Sequence, residues 1–184
     1  MTFIVFALPR SRTAWTREYL RYPISGNWRV GHDIAATCST PNDFFNKFDG
    51  EMIGAVETAA MLGWRLIRER MPEAKFAVIR RPVSEVERSL SQFGIEAKMG
   101  ELIARASMLN EISGHPGVLT VQFDDLCQAR TRAVLFEHCL QIPWDEAWDR
   151  EMAWRNVQID VHARMKYLAD NQARIEGLKA QLLA

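Results

Sequence analysis

Residues 3–20 read FIVFALPRSRTAWTREYL. The run Phe3–Ala7 is wholly apolar and rich in β-branched and aromatic side chains, which suits a strand buried on both faces of a parallel sheet. Leu8-Pro9 ends the strand, and an amphipathic helix follows. Ser11 and Thr13 are placed to cap that helix. Its unpaired N–H groups and positive dipole end would then face the carboxyl edge of the sheet. Arg10 and Arg12 add charge at the same point, so the stretch reads as an anion cradle. The turn contains no glycine and no lysine, so it is not the GxxxxGK loop of ordinary ATPases and GTPases.

The device recurs. Lys75–Ile79 is a second apolar strand running into Arg80-Arg81-Pro82, and Pro82 suits the first position of a helix bearing Val83, Val86, Leu90 and Phe93 on one face. Val118–Phe123 is a third strand, ended by Asp124-Asp125-Leu126. Trp28–Val30 and Met52–Val56 read as shorter strands. Helices are expected from Ser39–Asp43 onward, carrying Phe44, Phe45 and Phe48, and over Thr58–Arg70, Lys98–Ser113 and Gln128–Leu140. Strands alternating with helices predict an α/β, three-layer, P-loop-like fold with a mostly parallel central sheet, flanking helices and a helical C-terminus. The ligand crevice of such a sheet lies at the carboxyl ends of its strands.

With 184 residues, of which 48% are hydrophobic, the chain can bury a full core, and a single domain over 1–184 is expected. Lys plus Arg and Asp plus Glu both number 23, so no overall field draws the chain to nucleic acid or to an anionic membrane. No run approaches the roughly 18 apolar residues of a membrane span, and the first stretch lacks the marks of a signal peptide. Cys38, Cys127 and Cys139 form no CxxC pair, which points to unpaired thiols in a reducing, cytoplasmic setting. The histidines, His32, His115, His138 and His162, lack metal-ligand spacing, so no metal is expected. Val161, Met165, Leu168, Ile175, Leu178 and Leu182 form a heptad-like stripe that either packs on the domain or supports a homodimer.

Three motifs in this order resemble the sulfotransferases that use 3′-phosphoadenosine 5′-phosphosulfate. Leu8-Pro9-Arg10-Ser11-Arg12-Thr13-Ala14-Trp15 is similar to that family's YPKSGTTW loop, with Arg10 in place of lysine and Arg12 in place of glycine. Val78-Ile79-Arg80-Arg81-Pro82 resembles its strand and R-x-P turn, and Val121–Leu126 its strand with an acidic pair. The resemblance implies sulfuryl transfer from this donor to a hydroxyl or amine of an unknown small-molecule acceptor, without a metal. It implies that Ser11, Thr13 and the amides around Arg12, through Ala14, hold the 5′-phosphosulfate, and that Arg10 stabilises charge on the bridging oxygen. Trp15 would stack on adenine or face the core.

Arg80 and Ser89 would bind the 3′-phosphate. The family's serine falls eight positions after its arginine, whereas Ser89 is nine after Arg80, leaving Ser84 and Arg88 as substitutes. Arg81 would be solvated or paired with Glu85. Glu57 is the first choice for general base, with His32 and Asp33 behind it. The family's late basic loop has no clear counterpart, and Arg155 is a remote one. The acceptor would meet Phe44, Phe45, Phe48, Trp64, Trp144 and Trp148. Two other readings stand beside this one. The first is a degenerate P-loop kinase-type phosphotransferase using Asp124 or Asp125 with magnesium. The second is a nucleotide- or anion-binding domain without activity.

Overall fold

The computed structural model describes residues 2–23, 29–50 and 52–157. The heptad-like stripe beginning at Val161, and with it the homodimer reading, lies outside them. Five strands, β1 (Phe3–Ala7), β2 (Arg29–His32), β3 (Met52–Glu57), β4 (Lys75–Arg80) and β5 (Val118–Gln122), form one sheet in the order β2-β3-β1-β4-β5. Every described pairing is parallel. Helices α1 (Thr13–Leu20), α2 (Pro41–Asn46), α3 (Trp64–Arg70), α4 (Val83–Ser91), α5 (Met99–Ser113), α6 (Ala129–Leu140) and α7 (Glu146–Ala153) surround it. This is the layered α/β, P-loop-like architecture that the alternating pattern predicts.

The period-two alternation of the strands splits the core into two layers. Phe3, Val5, Ala7, Ala77 and Ile79 pack with α1, α6 and α7 on one face. Ile4, Phe6, Phe76 and Val78 pack with α3, α4 and α5 on the other. β1 lies at the centre and is wholly buried. Its register with β4 pairs Ala7 with Ile79, so the loops leaving these two strands emerge side by side.

Two expectations change. Thr58–Arg70 is not one helix: a 3₁₀ turn, Ala60–Gly63, precedes α3. Ser11 and Thr13 do not cap α1. The N-cap is Arg12, in the left-handed region at φ 58°, with no side-chain cap.

Helix α7 is clamped to α1 by polar groups that apolar patterning does not show. Trp15 Nε1 donates to the Met152 carbonyl (2.9 Å) and Trp148 Nε1 to the Tyr19 carbonyl (2.9 Å). Tyr19 Oη donates to Asp149 (2.8 Å) and Tyr22 Oη to Asp145 (2.8 Å). Arg132 of α6 grips both oxygens of Asp149 at 2.7 Å and also donates to the carbonyls of Leu126 and Cys127. Trp144 and Trp148, expected to face an acceptor, are engaged in this clamp.

Breaking a buried ion pair from one side strands the other charge, at a cost of about 3–5 kcal/mol. Asp149→Ala is therefore expected to lower the urea midpoint by a loss in that range. A loss below about 1 kcal/mol would show that Arg132 finds another partner.

Candidate functional site

The loop between β1 and α1 alternates in handedness: Arg10 (φ 62°) and Arg12 (φ 58°) are left-handed and Ser11 between them is not. Such alternation turns successive N–H groups towards one side, forming an anion-binding nest. For bulky residues each left-handed conformation costs about 1–3 kcal/mol, so the surroundings must enforce it. They do so through Arg10 and Arg81. The Arg10 guanidinium lies 3.9 Å from the centre of the Phe93 ring, and its Nε donates to Ser89 Oγ of α4 at 3.3 Å. Arg81 donates to the Arg10 carbonyl and lies 4.0 Å from the centre of the Phe123 ring. Its Nε pairs with Glu85 at 3.3 Å, the alternative that the helical spacing allows.

Two guanidiniums thus stand side by side at the ends of β1 and β4, each laid on a phenylalanine. Burial, and then the charge of Arg81, hold the Arg10 pKa below the ordinary arginine value. Of the two guanidiniums Arg81 is paired with Glu85, and the net positive charge lies where the first turn of α1 leaves its N–H groups without intrahelical acceptors. Ser11 is wholly buried there, and its hydroxyl has no hydrogen-bond partner among the described residues. A buried, unsatisfied hydroxyl beside a nest and two arginines suits an anionic ligand that would complete its bonding.

Arg10, Arg12, Ala14, Trp15, Arg81, Ser89 and Phe123 line one cleft of about 450 Å³, whose far wall is the segment Ala153–Val157. The α7 clamp carries that wall. Arg155 is therefore in the cleft, where it also pairs with Glu151. Arg12 lies 5.8 Å from the Trp15 ring centre and 5.9 Å from that of Phe123, and Trp154 on the rim is 90% exposed.

Three of the sequence-based assignments, Arg80, Glu57 and His32, do not meet here, and a fourth, Trp15, reaches the cleft only as part of its wall. Arg80 continues the even-numbered face of β4 and donates to Asn110 of α5, away from the cleft; its neighbour Arg81 lines the cleft. Counted from Arg81, Ser89 is eight residues on. The one-residue offset is thereby removed, and that spacing is the signal that could have selected Arg81 from the sequence. Trp15 is 4% exposed and stacks on Tyr19 at 4.8 Å, so it is a core residue at the cleft wall and presents little surface to an adenine. Glu57 is fully buried and accepts from the Ile34 and Ala35 N–H groups at 2.7 and 3.4 Å, which makes it a brace for the turn after β2. His32 also lies outside the cleft lining, at the end of β2. Its Nδ1 is 3.5 Å from Asp33, and Asp33 in turn accepts from the Thr58 N–H (2.8 Å) and hydroxyl (2.9 Å). Phe93 and Phe123 were not anticipated as supports for the arginines.

Ser11→Ala separates structure from binding. A buried hydroxyl without a partner costs about 1–3 kcal/mol, so the variant is expected to unfold at the parental temperature or above it. When chloride is replaced by sulfate at constant ionic strength, its melting temperature should rise less than the parent's. A destabilised variant with an undiminished sulfate response would make Ser11 purely structural.

No protein-family model matches this sequence, and no curated protein does. Among solved structures, the chain is similar to mouse sulfotransferase SULT7A1 complexed with PAP, at 11% identity and a TM-score of 0.60, over 83% of this chain and 63% of that one. It is also similar to a gluconokinase from Sinorhizobium meliloti 1021, at 15% identity and a TM-score of 0.46, over 83% of this chain and 93% of that one. This chain thus spans less than two thirds of the sulfotransferase. At such identities the first likeness shows the fold, the layered arrangement of sheet and helices already described.

Proposed function

We propose that this chain is a sulfotransferase-type enzyme that moves a sulfuryl group from 3′-phosphoadenosine 5′-phosphosulfate to a hydroxyl or amine. The observation that carries the reading is the pair of anion positions at the ends of β1 and β4. One is formed by the nest and Arg10. The other is formed by Arg81 with Ser89 eight residues later, and the Arg10–Ser89 bond at 3.3 Å joins them. A donor with a phosphosulfate at one end and a 3′-phosphate at the other would occupy both. A nucleoside triphosphate would leave the Arg81–Ser89 position empty, and Asp124 and Asp125, which a magnesium-dependent phosphotransferase would need, do not line the cleft.

In this reading the acceptor oxygen or nitrogen attacks sulfur as the bond from sulfur to the bridging oxygen breaks. The released electron pair stays on the 5′-phosphate, and the acceptor's proton passes to a base. Arg10 stabilises the departing charge as a fork of hydrogen-bond donors and does not act as an acid. His32 suits the base better than Glu57 does. Asp33, itself held by Thr58, would stabilise the imidazolium, whereas the oxygens of Glu57 are committed to backbone N–H groups.

Calorimetric titration with 3′-phosphoadenosine 5′-phosphate and with ADP tests the donor. The 3′-phosphorylated nucleotide is expected to bind at least about tenfold more tightly, a difference of about 1.4 kcal/mol. Arg81→Ala should remove that preference and Arg80→Ala should retain it. Absence of saturable binding, or a preference that depends on Arg80 and not Arg81, would overturn the assignment.

A further inference from the structure

A further cavity, of about 370 Å³, opens beside the cleft on the side of α6 and α7. Arg12, Ala153 and Trp154 line both hollows, so the two meet at these residues. Cys127 and Ala129 at the start of α6 form another part of its wall, and Trp144 stands on the turn before α7. The buried Arg132–Asp149 pair and the exposed pair Arg150–Glu146 supply the rest.

Three arginines and two acids therefore line this cavity. Arg132 is committed to both oxygens of Asp149 at 2.7 Å, and Arg150 faces Glu146 at 3.8 Å. Arg12 is left. Its guanidinium has no carboxylate, carbonyl or hydroxyl partner among the described residues, and the rings of Trp15 and Phe123, at 5.8 and 5.9 Å, lie at the outer limit of a cation–π contact. Arg12 is also left-handed, at φ 58°, a conformation that strains an arginine and that glycine adopts freely. Arg10 offsets the same strain through Ser89 and Phe93. The Arg12 side chain makes no such bond. An unpaired arginine at a position that suits glycine, with its charge turned to a cavity, calls for an anion from outside the chain.

We propose that this cavity is a second ligand site, and that it takes a flat aromatic molecule bearing one oxyanion, with the anion on Arg12 and the ring against Trp154 and Trp144. Its volume falls within the roughly 300–1,000 Å³ of small-molecule sites. Trp154 is 90% exposed, and its ring has no partner among the described residues, so it offers a large aromatic face. Trp144 is already set in place, since its Nε1 donates to Tyr19 Oη at 3.2 Å. The charge count fixes the ligand at one anion, because a second would have to take Arg132 from Asp149 or Arg150 from Glu146. This site stands apart from the two anion positions at the ends of β1 and β4 and does not depend on the identity of the donor.

Naphthalene-2-carboxylate and the uncharged naphthalene-2-carboxamide test this on the full chain. By calorimetry the carboxylate should bind saturably and at least tenfold more tightly than the amide. It should slow iodoacetamide alkylation of the exposed Cys127 at least threefold, read by mass spectrometry, and leave Cys38 unaffected. Arg12→Gly should melt at or above the parental temperature, since glycine takes the left-handed conformation without strain, and should bind the carboxylate at least tenfold more weakly. Ala129→Phe fills the cavity from an exposed position that does not line the cleft. It should lose the carboxylate to the same extent and keep the parental rise in melting temperature in sulfate. No saturable binding of the carboxylate, equal binding of the amide, undiminished binding in either variant, or binding without protection of Cys127 would overturn the site.

Discussion

Arg10 and Arg81 bring two like charges to neighbouring strand ends, and the loop geometry depends on how that arrangement is held. Each guanidinium rests on an aromatic face, at 3.9 Å over Phe93 and 4.0 Å over Phe123. Arg81 also bonds the Arg10 carbonyl, and Arg10 bonds Ser89. Cation–π contacts of this kind contribute about 0.5–2 kcal/mol each, comparable with the conformational cost of the left-handed residues they stabilise. Among the described residues, Glu85 offers a carboxylate to Arg81. Burial first and the charge of Arg81 second lower the Arg10 pKa, and an anion in the nest would offset both without glycine or lysine in the loop.

The clamp between α1 and α7 serves the same arrangement from the other side. α1 begins in the nest, and its Trp15, Tyr19 and the following Tyr22 hold α7 through hydrogen bonds of 2.8–2.9 Å. α7 in turn carries Trp154 and Arg155 onto the cleft.

The strands were legible because their apolar runs are bounded by proline, glycine or charge. Phe3–Ala7 and the helix Gln128–Leu140 lie within a residue of their observed limits. The turn between β1 and α1 was legible through its proline and hydroxyls. The choice between Arg80 and Arg81 was open in the sequence, because an R-x-P pattern and a spacing of eight select different residues; the alternation of side chains along β4 puts Arg81, the one the spacing selects, in the cleft. The setting of Glu57 was hidden for a related reason: a carboxylate at a strand end resembles a base, and sequence spacing carries no trace of the N–H groups of residues 34 and 35 that bond to it. Phe93 and Phe123 read as core residues because a ring beneath a guanidinium and a ring within a core have the same local pattern. Trp144 and Trp148 belong to the α7 clamp, through hydrogen bonds that their spacing in the sequence does not show.

The central claim is that one ligand bears two anions, one seated in the nest after β1 and the other between Arg81 and Ser89. A crystal structure of the chain with 3′-phosphoadenosine 5′-phosphate tests it directly. The account predicts the 5′-phosphate within hydrogen-bond distance of the Ser11–Thr13 backbone N–H groups and the Ser11 hydroxyl, and the 3′-phosphate contacting Arg81 and Ser89. A nucleotide whose 3′-phosphate meets Arg80, or whose 5′-phosphate lies outside the β1–α1 loop, would contradict it.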